Sequence, residues 1–280
     1  MAQPEIVTQN LATEIALGRV AGPFSEPPFS NSQVSPIGLV PKKHSHKFRT
    51  IFHLSFPKSG NTSINHFISK EDPRLQYITI DNAIEGILRL GEGCFLAKTD
   101  IESAFRLMPL KPSDYELFGM FWNNQCYYDK VLAFGLRSAP SVFNQLSDAV
   151  EWILVNKCGI SFVCHILDDF LIIEPATPFP PHSQACQQSL SSMHLTFNNL
   201  GIPLAPHKTQ GPCTTLEFMG IILDTVRMEA GLPPDKASGL LDLLLRQEVL
   251  HPQRITIAYR DPEICMQSCT SGQAFFATHD

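Results

Sequence analysis

Three carboxylates stand where apolar runs end. Asp100 closes the run CFLAKTDI, and Asp168 and Asp169 lie between ISFVCHIL and FLII, 68 and 69 residues further on. Hard divalent cations such as Mg2+ take carboxylate oxygens, and two such ions side by side need ligands that bridge them. Three carboxylates drawn together repel one another unless cations neutralise them, so their convergence would imply metal-assisted chemistry. An Asp-Asp pair is equally the material of an ordinary hairpin turn, and taken alone it leaves both readings open. A second chemistry sits upstream. From Pro27 to Lys70 there are six Lys or Arg (Lys42, Lys43, Lys47, Arg49, Lys58, Lys70), four histidines and no Asp or Glu. Such a stretch is either a surface for anions or a solvated basic face.

The elements that must position these groups follow from periodicity. A helix-like lead runs from Glu5 to Leu17, followed by a Pro/Ser/Phe loop from Gly22 to Pro36. SPIGLVPKK and KFRTIFHLS read as two strands around His44-Ser45-His46. Ile80, Ala83, Ile84, Ile87 and Leu88 mark an amphipathic helix that stops at Gly91. QCYYDKVLAF reads as strand, broken at Phe134-Gly135. Val142, Leu146, Ala149, Val150 and Ile153 mark a helix from about Ser138. The run Ile160 to Ile173 predicts two strands with an acidic tip. Leu190, Met193, Phe197 and Leu200 mark another helix, LEFMGIIL another strand, and Pro233 to Val249 a Leu-rich helix begun by prolines. Strands and helices mix without strict alternation, which favours an α+β fold, an antiparallel sheet backed by helices. If the strands carrying Asp100 and Asp168-Asp169 are neighbours, the three carboxylates meet at one edge.

The chain has 280 residues, 44% hydrophobic and 17% charged, with a mean hydropathy of −0.01. These values exclude a mainly disordered chain. No apolar run approaches the roughly 18 to 20 residues of a membrane helix, and the N-terminus does not read as a signal peptide. The expectation is an intracellular protein, cytoplasmic or nuclear, with no membrane partner. Eight cysteines without a CxxC pair predict reduced, mostly buried thiols. The net charge of −6 argues against nucleic acid as a partner, until the basic stretch is set apart from the average.

In this order, TDIESAFRLMPL, FGLRSAPSVFNQL and HILDDFLII resemble the three central palm motifs of reverse transcriptases. LVPKKHSHKFRTIFHLSFPKSGNTSIN resembles their basic fingers segment, and GIPLAPHKTQGPCTTLEFMGIILDT the two motifs that close the palm. The wording is most similar to the tyrosine-recombinase (DIRS-type) retrotransposons, over about residues 5–250. The resemblance implies a right-hand polymerase with a lead-in at 1–29, fingers at 30–95, palm at 96–225 and a partial thumb at 226–252. It implies RNA-directed DNA synthesis from a primer, with dNTPs as substrates, an RNA or DNA template as partner, and two Mg2+ ions, or Mn2+, as cofactors. Asp100 and Asp168 would hold the metals, with Asp169 in support and Ile101 lending its backbone carbonyl. Lys42 and Arg49 would clamp the triphosphate. Phe105 would exclude a ribose 2′-hydroxyl, with Phe134 and Gly135 forming a turn beside the nucleotide. Lys208 would protonate the departing pyrophosphate. Phe218, Met219 and Gly220 would form the hairpin that grips the primer end.

Two features depart from the pattern. Ile166 stands where relatives usually carry an aromatic, and the tail at 253–280 has weak helical periodicity. Read one nucleotide later, the tail's codons could encode a thumb-like continuation, which would make the tail out-of-frame peptide. An inactive or domesticated remnant that binds nucleic acid is the alternative. Ribonuclease H would need its own carboxylate cluster, for which these 280 residues leave no length.

Overall fold

The computed structural model describes residues 4–41, 48–60, 62–69, 75, 77–238 and 273–275. In chain order the strands are β1 (Val20–Phe24), β2 (Ile37–Pro41), β3 (Phe48–Phe52), β4 (Phe95–Asp100), β5 (Gly119–Trp122), β6 (Gln125–Asp129) and β7 (Phe162–Ile166). They continue with β8 (Asp169–Glu174), β9 (Gln210–Cys213), β10 (Thr215–Phe218), β11 (Ile221–Asp224), β12 (Glu229–Gly231) and β13 (Gln273–Phe275). The helices are α1 (Pro4–Ala16), α2 (Ile80–Leu90), α3 (Ala139–Asn156) and α4 (Gln184–Asn199). The chain forms two compact units, Met1–Gln76 with Glu102–Asp148, and Tyr77–Ile101 with Ala149–Asp280.

The first unit holds the hairpin β2-β3 and the antiparallel sheet β1-β6-β5. Its core joins Val7 and Leu11 of α1 to Phe52, Leu54, Phe118, Met120 and Leu132. The segment expected to be loop from Gly22 to Pro36 begins instead inside β1. Pro23 is tolerated there because β1 is an edge strand, where a missing N–H breaks no ladder. The long strand expected from Gln125 ends at Asp129 and pairs with β5, a four-residue strand too short to show a period.

The second unit holds the antiparallel sheet β7-β8-β4-β9 and a separate sheet, β10-β11-β12-β13. Four consecutive residues of β8, Phe170 to Ile173, are fully buried, which explains a continuous apolar run rather than an alternating one. Helix α2 buries Ala83, Ile84 and Ile87, the 3–4 spacing of one face, in a cluster with Leu96, Leu171 and Ile173. At Gly86 an added Cβ would stand 2.8 Å from the Phe162 ring, so glycine is what lets α2 approach β7. The single strand expected at LEFMGIIL is two, β10 and β11, turning at Met219 (φ 51°) and Gly220 (φ 79°). Of the expected Leu-rich helix, residues 234–238 are helical, and 239–249 lie outside the described residues. The tail at 253–280 is described only at β13, which pairs antiparallel with β12. The described cysteines are free, and four of them, Cys94, Cys126, Cys164 and Cys186, are buried.

Candidate active site

The register of β4 against β8 makes Asp100 and Asp169 direct cross-strand partners. The β7–β8 hairpin turns at Leu167 and Asp168, with Leu167 at a φ of 54°, and the Ile101 backbone N–H donates to the Asp168 carbonyl at 2.8 Å. All three aspartates are therefore at one end of the same sheet, the end where β4 leaves it. Burial pushes the Asp169 carboxyl up to about 6; Asp100 and Asp168 add to this, while Lys98 and Lys208 oppose it. Lys208, in the segment after α4, donates from Nζ to Asp100 Oδ2 at 2.6 Å.

Among the described residues no three His, Cys, Asp or Glu side chains are already drawn together as a metal-binding group. The donor chemistry nonetheless fits a hard cation. Carboxylate oxygens are its preferred ligands, and Asp169 is held toward its protonated form chiefly by burial, with the Asp100 and Asp168 charges adding to it, a pressure that a cation would relieve.

One cation here was not anticipated from sequence. Lys98, two residues before Asp100 and on the same face of β4, donates from Nζ to the Glu217 carbonyl at 2.6 Å. It ties the carboxylate strand to the β10–β11 hairpin. The period-2 spacing of Lys98 and Asp100 was the available signal. Of the residues predicted at that hairpin, Phe218 is fully buried in the core, which places Met219 and Gly220 at the turn and Phe218 beneath it.

The other predicted residues belong to the first unit. The Phe105 ring lies 5.4 Å from Phe134 and 5.6 Å from Phe143, centroid to centroid. Arg49, exposed on β3, lays its guanidinium 4.3 Å from the centre of the Phe134 ring, a cation–π contact that holds the planar fork in place. Lys42 lies outside the described residues. Phe134 accepts a hydrogen bond from the Phe52 N–H at 2.9 Å, and at Gly135 (φ 114°) a Cβ would fall 2.0 Å from the Phe52 carbonyl oxygen. No side chain fits there. Asn65, buried and unremarked in the sequence, clamps this turn. Its Nδ2 donates to Gly135 O at 2.8 Å, and its Oδ1 accepts from Arg137 N at 2.8 Å.

Comparison with known proteins gives a family and a fold. The family model described as "Reverse transcriptase (RNA-dependent DNA polymerase)" matches residues 40–223. No curated protein matches. Among solved structures, the foamy viral protease-reverse transcriptase in complex with double-stranded DNA is similar at a TM-score of 0.62 and 15% identity, over 88% of this chain and 44% of that one. A second structure of it with double-stranded DNA gives 0.61 and 16%, over 88% and 37%, and one with an RNA/DNA hybrid gives 0.59 and 14%, over 86% and 28%. At such identities the likeness is one of fold, that of a right-hand polymerase. The chain spans less than half the length of these proteins. Among the described residues, no helix is long and apolar enough to cross a membrane.

Proposed function

Because the chain belongs to the reverse transcriptase (RNA-dependent DNA polymerase) family, we propose that it extends a primer with dNTPs by metal-assisted phosphoryl transfer on an RNA or DNA template. The observation that carries this reading is the cross-strand pairing of Asp100 with Asp169, with Asp168 in the adjoining turn. Asp100 and Asp168 would hold two Mg2+ ions, with Asp169 and the Ile101 carbonyl in support; Mn2+ suits the same oxygens. When bound, the ions would acidify the primer 3′-hydroxyl and neutralise charge on the triphosphate.

The chain's own groups do the rest. Arg49 offers a planar pair of donors to the triphosphate, with Lys42 as a second cation. Phe105 fills the space a 2′-hydroxyl would need, beside the side-chain-free backbone at Gly135. Lys208, whose side chain is half exposed, can release Asp100 and give a proton from Nζ to the departing pyrophosphate. The Met219–Gly220 turn meets the primer end, and buried Phe218 supports it. Residues 30–95 serve as fingers, 96–225 as palm and 226–252 as the beginning of a thumb, after a lead-in at 1–29. The motif wording favours a retrotransposon of the tyrosine-recombinase (DIRS) type as the source.

The test is addition of a single dNMP to a labelled DNA primer on an RNA template, with Mg2+ and then with excess chelator. Addition with Mg2+ that stops with chelator is expected. Salt-sensitive binding of the primer–template without any addition would replace the enzyme by a nucleic-acid-binding remnant.

A further inference from the structure

Arg106 follows Phe105 in the short 3₁₀ turn Ala104–Leu107, yet it is only 8% exposed. A buried guanidinium is costly unless its partners are well placed. Here they are. Nη1 donates to Asp129 Oδ2 at 2.5 Å and to the Leu132 carbonyl at 3.3 Å, while Nε and Nη2 both reach Glu14 Oε2, at 2.9 and 2.7 Å. Asp129 is fully buried, and among the described residues its Oδ1 has no side-chain partner, so its charge is compensated chiefly by Arg106, with help from the Val131 backbone.

We propose that the Glu14–Arg106–Asp129 network is a positioning device for Phe105, and that it thereby sets the discrimination between deoxyribonucleotides and ribonucleotides. The inference rests on reading Phe105 as the residue that excludes the 2′-hydroxyl. Three observations carry it. Successive side chains of a 3₁₀ turn leave about 120° apart, so fixing Arg106 fixes the direction in which Phe105 leaves. The turn opens on Ser103 at a φ of 63°, a left-handed conformation that a non-glycine residue keeps only when its surroundings over-determine it. The Leu132 carbonyl gripped by the same guanidinium lies two residues before Phe134, whose ring is the neighbour of Phe105. One side chain thus anchors the segments that carry both aromatics and links them to α1 through Glu14. Apolar packing would serve folding as well as a buried ion network; what the fork adds is fixed geometry.

Single-turnover insertion of dCMP and of CMP opposite the same template base gives the ratio of the two kcat/KM values. Phe105→Ala should lower that ratio by about 100-fold, the benchmark for an opened pocket. Glu14→Gln, at a partly exposed partner, should leave dCMP insertion within about twofold and lower the ratio by about fivefold, through faster CMP insertion, a scale on which about 1.4 kcal/mol is tenfold. Arg106→Lys, which keeps the charge and loses the fork, should lower it further. A merely structural role would alter the melting temperature and leave the ratio alone. An unchanged ratio in Glu14→Gln beside a lowered ratio in Phe105→Ala overturns the network's role and spares the reading of Phe105. An unchanged ratio in Phe105→Ala overturns both. Should Arg106→Lys fail to fold, Glu14→Gln alone decides.

Discussion

Asp169 is the residue whose ionisation the fold should feel most directly. Its carboxyl is lifted from 3.8 to about 6, chiefly by burial. A folded-state value above the unfolded one favours the protonated form in the fold, so the stability it contributes is complete below about pH 4 and is lost as pH rises through about 6. Asp169→Asn should therefore stabilise the metal-free protein at pH 7.5 by on the order of 1–2 kcal/mol, and by nothing near pH 4. Thermal unfolding at the two pH values measures this. Added Mg2+ should raise the melting temperature of the parent more than that of the variant. Equal melting temperatures of parent and variant at pH 7.5 would show that the carboxylate is under no such pressure. The same logic explains what was legible here. Three aspartates at or beside strand ends announce themselves by type, whereas the cause of the lifted carboxyl, burial beside Asp100, depends on a register that no spacing of 69 residues states.

At the scale of elements, two pieces of local structure carry the proposed site, and each can be tested alone. Gly135→Ala places a Cβ 2.0 Å from a carbonyl oxygen at a left-handed φ, and should cost about 3 kcal/mol or more in urea unfolding. Asn65→Ala leaves the Gly135 carbonyl and the Arg137 N–H without their partner and should cost about 2 kcal/mol. A loss below about 0.5 kcal/mol in both would mean that the turn is held by something else. The second piece is the tie from β4 to the β10–β11 hairpin. Lys98→Met removes it while keeping the stem, and should raise the KM for the primer–template severalfold with kcat less affected. The reverse split would place Lys98 in the chemistry. These elements differ in how far sequence revealed them. Helix α2 shows itself because Ala83, Ile84 and Ile87 repeat with the helical period. The β10–β11 turn hides from periodicity, because Met219 and Gly220 interrupt an apolar run too briefly, and only the motif resemblance marks a hairpin there. Asn65 hides because its role lies 70 residues away in sequence, at Gly135.

For the molecule as a whole, the net charge of −6 conceals a basic stretch around β2 and β3 and an acidic edge around β4 and β8. If about three phosphates are met by that basic stretch, affinity for a primer–template should fall by about 30-fold between 50 and 200 mM salt. A salt-independent affinity would contradict the assignment of the stretch to nucleic acid. The antiparallel, helix-backed character of the fold was readable from the order of strands and helices, since Asp100 and Asp168-Asp169 each follow an apolar run that had to pair somewhere. Its division into two compact units was not, because each unit takes two separated segments of chain. The most direct measurement is Mg2+-dependent addition of one dNMP to a DNA primer annealed to RNA, by the parent and by Asp168→Asn, both shown by thermal unfolding to be folded. Addition by the parent that falls at least about 1,000-fold in the variant is the predicted result. Addition surviving at the parent's rate would contradict the account at its centre.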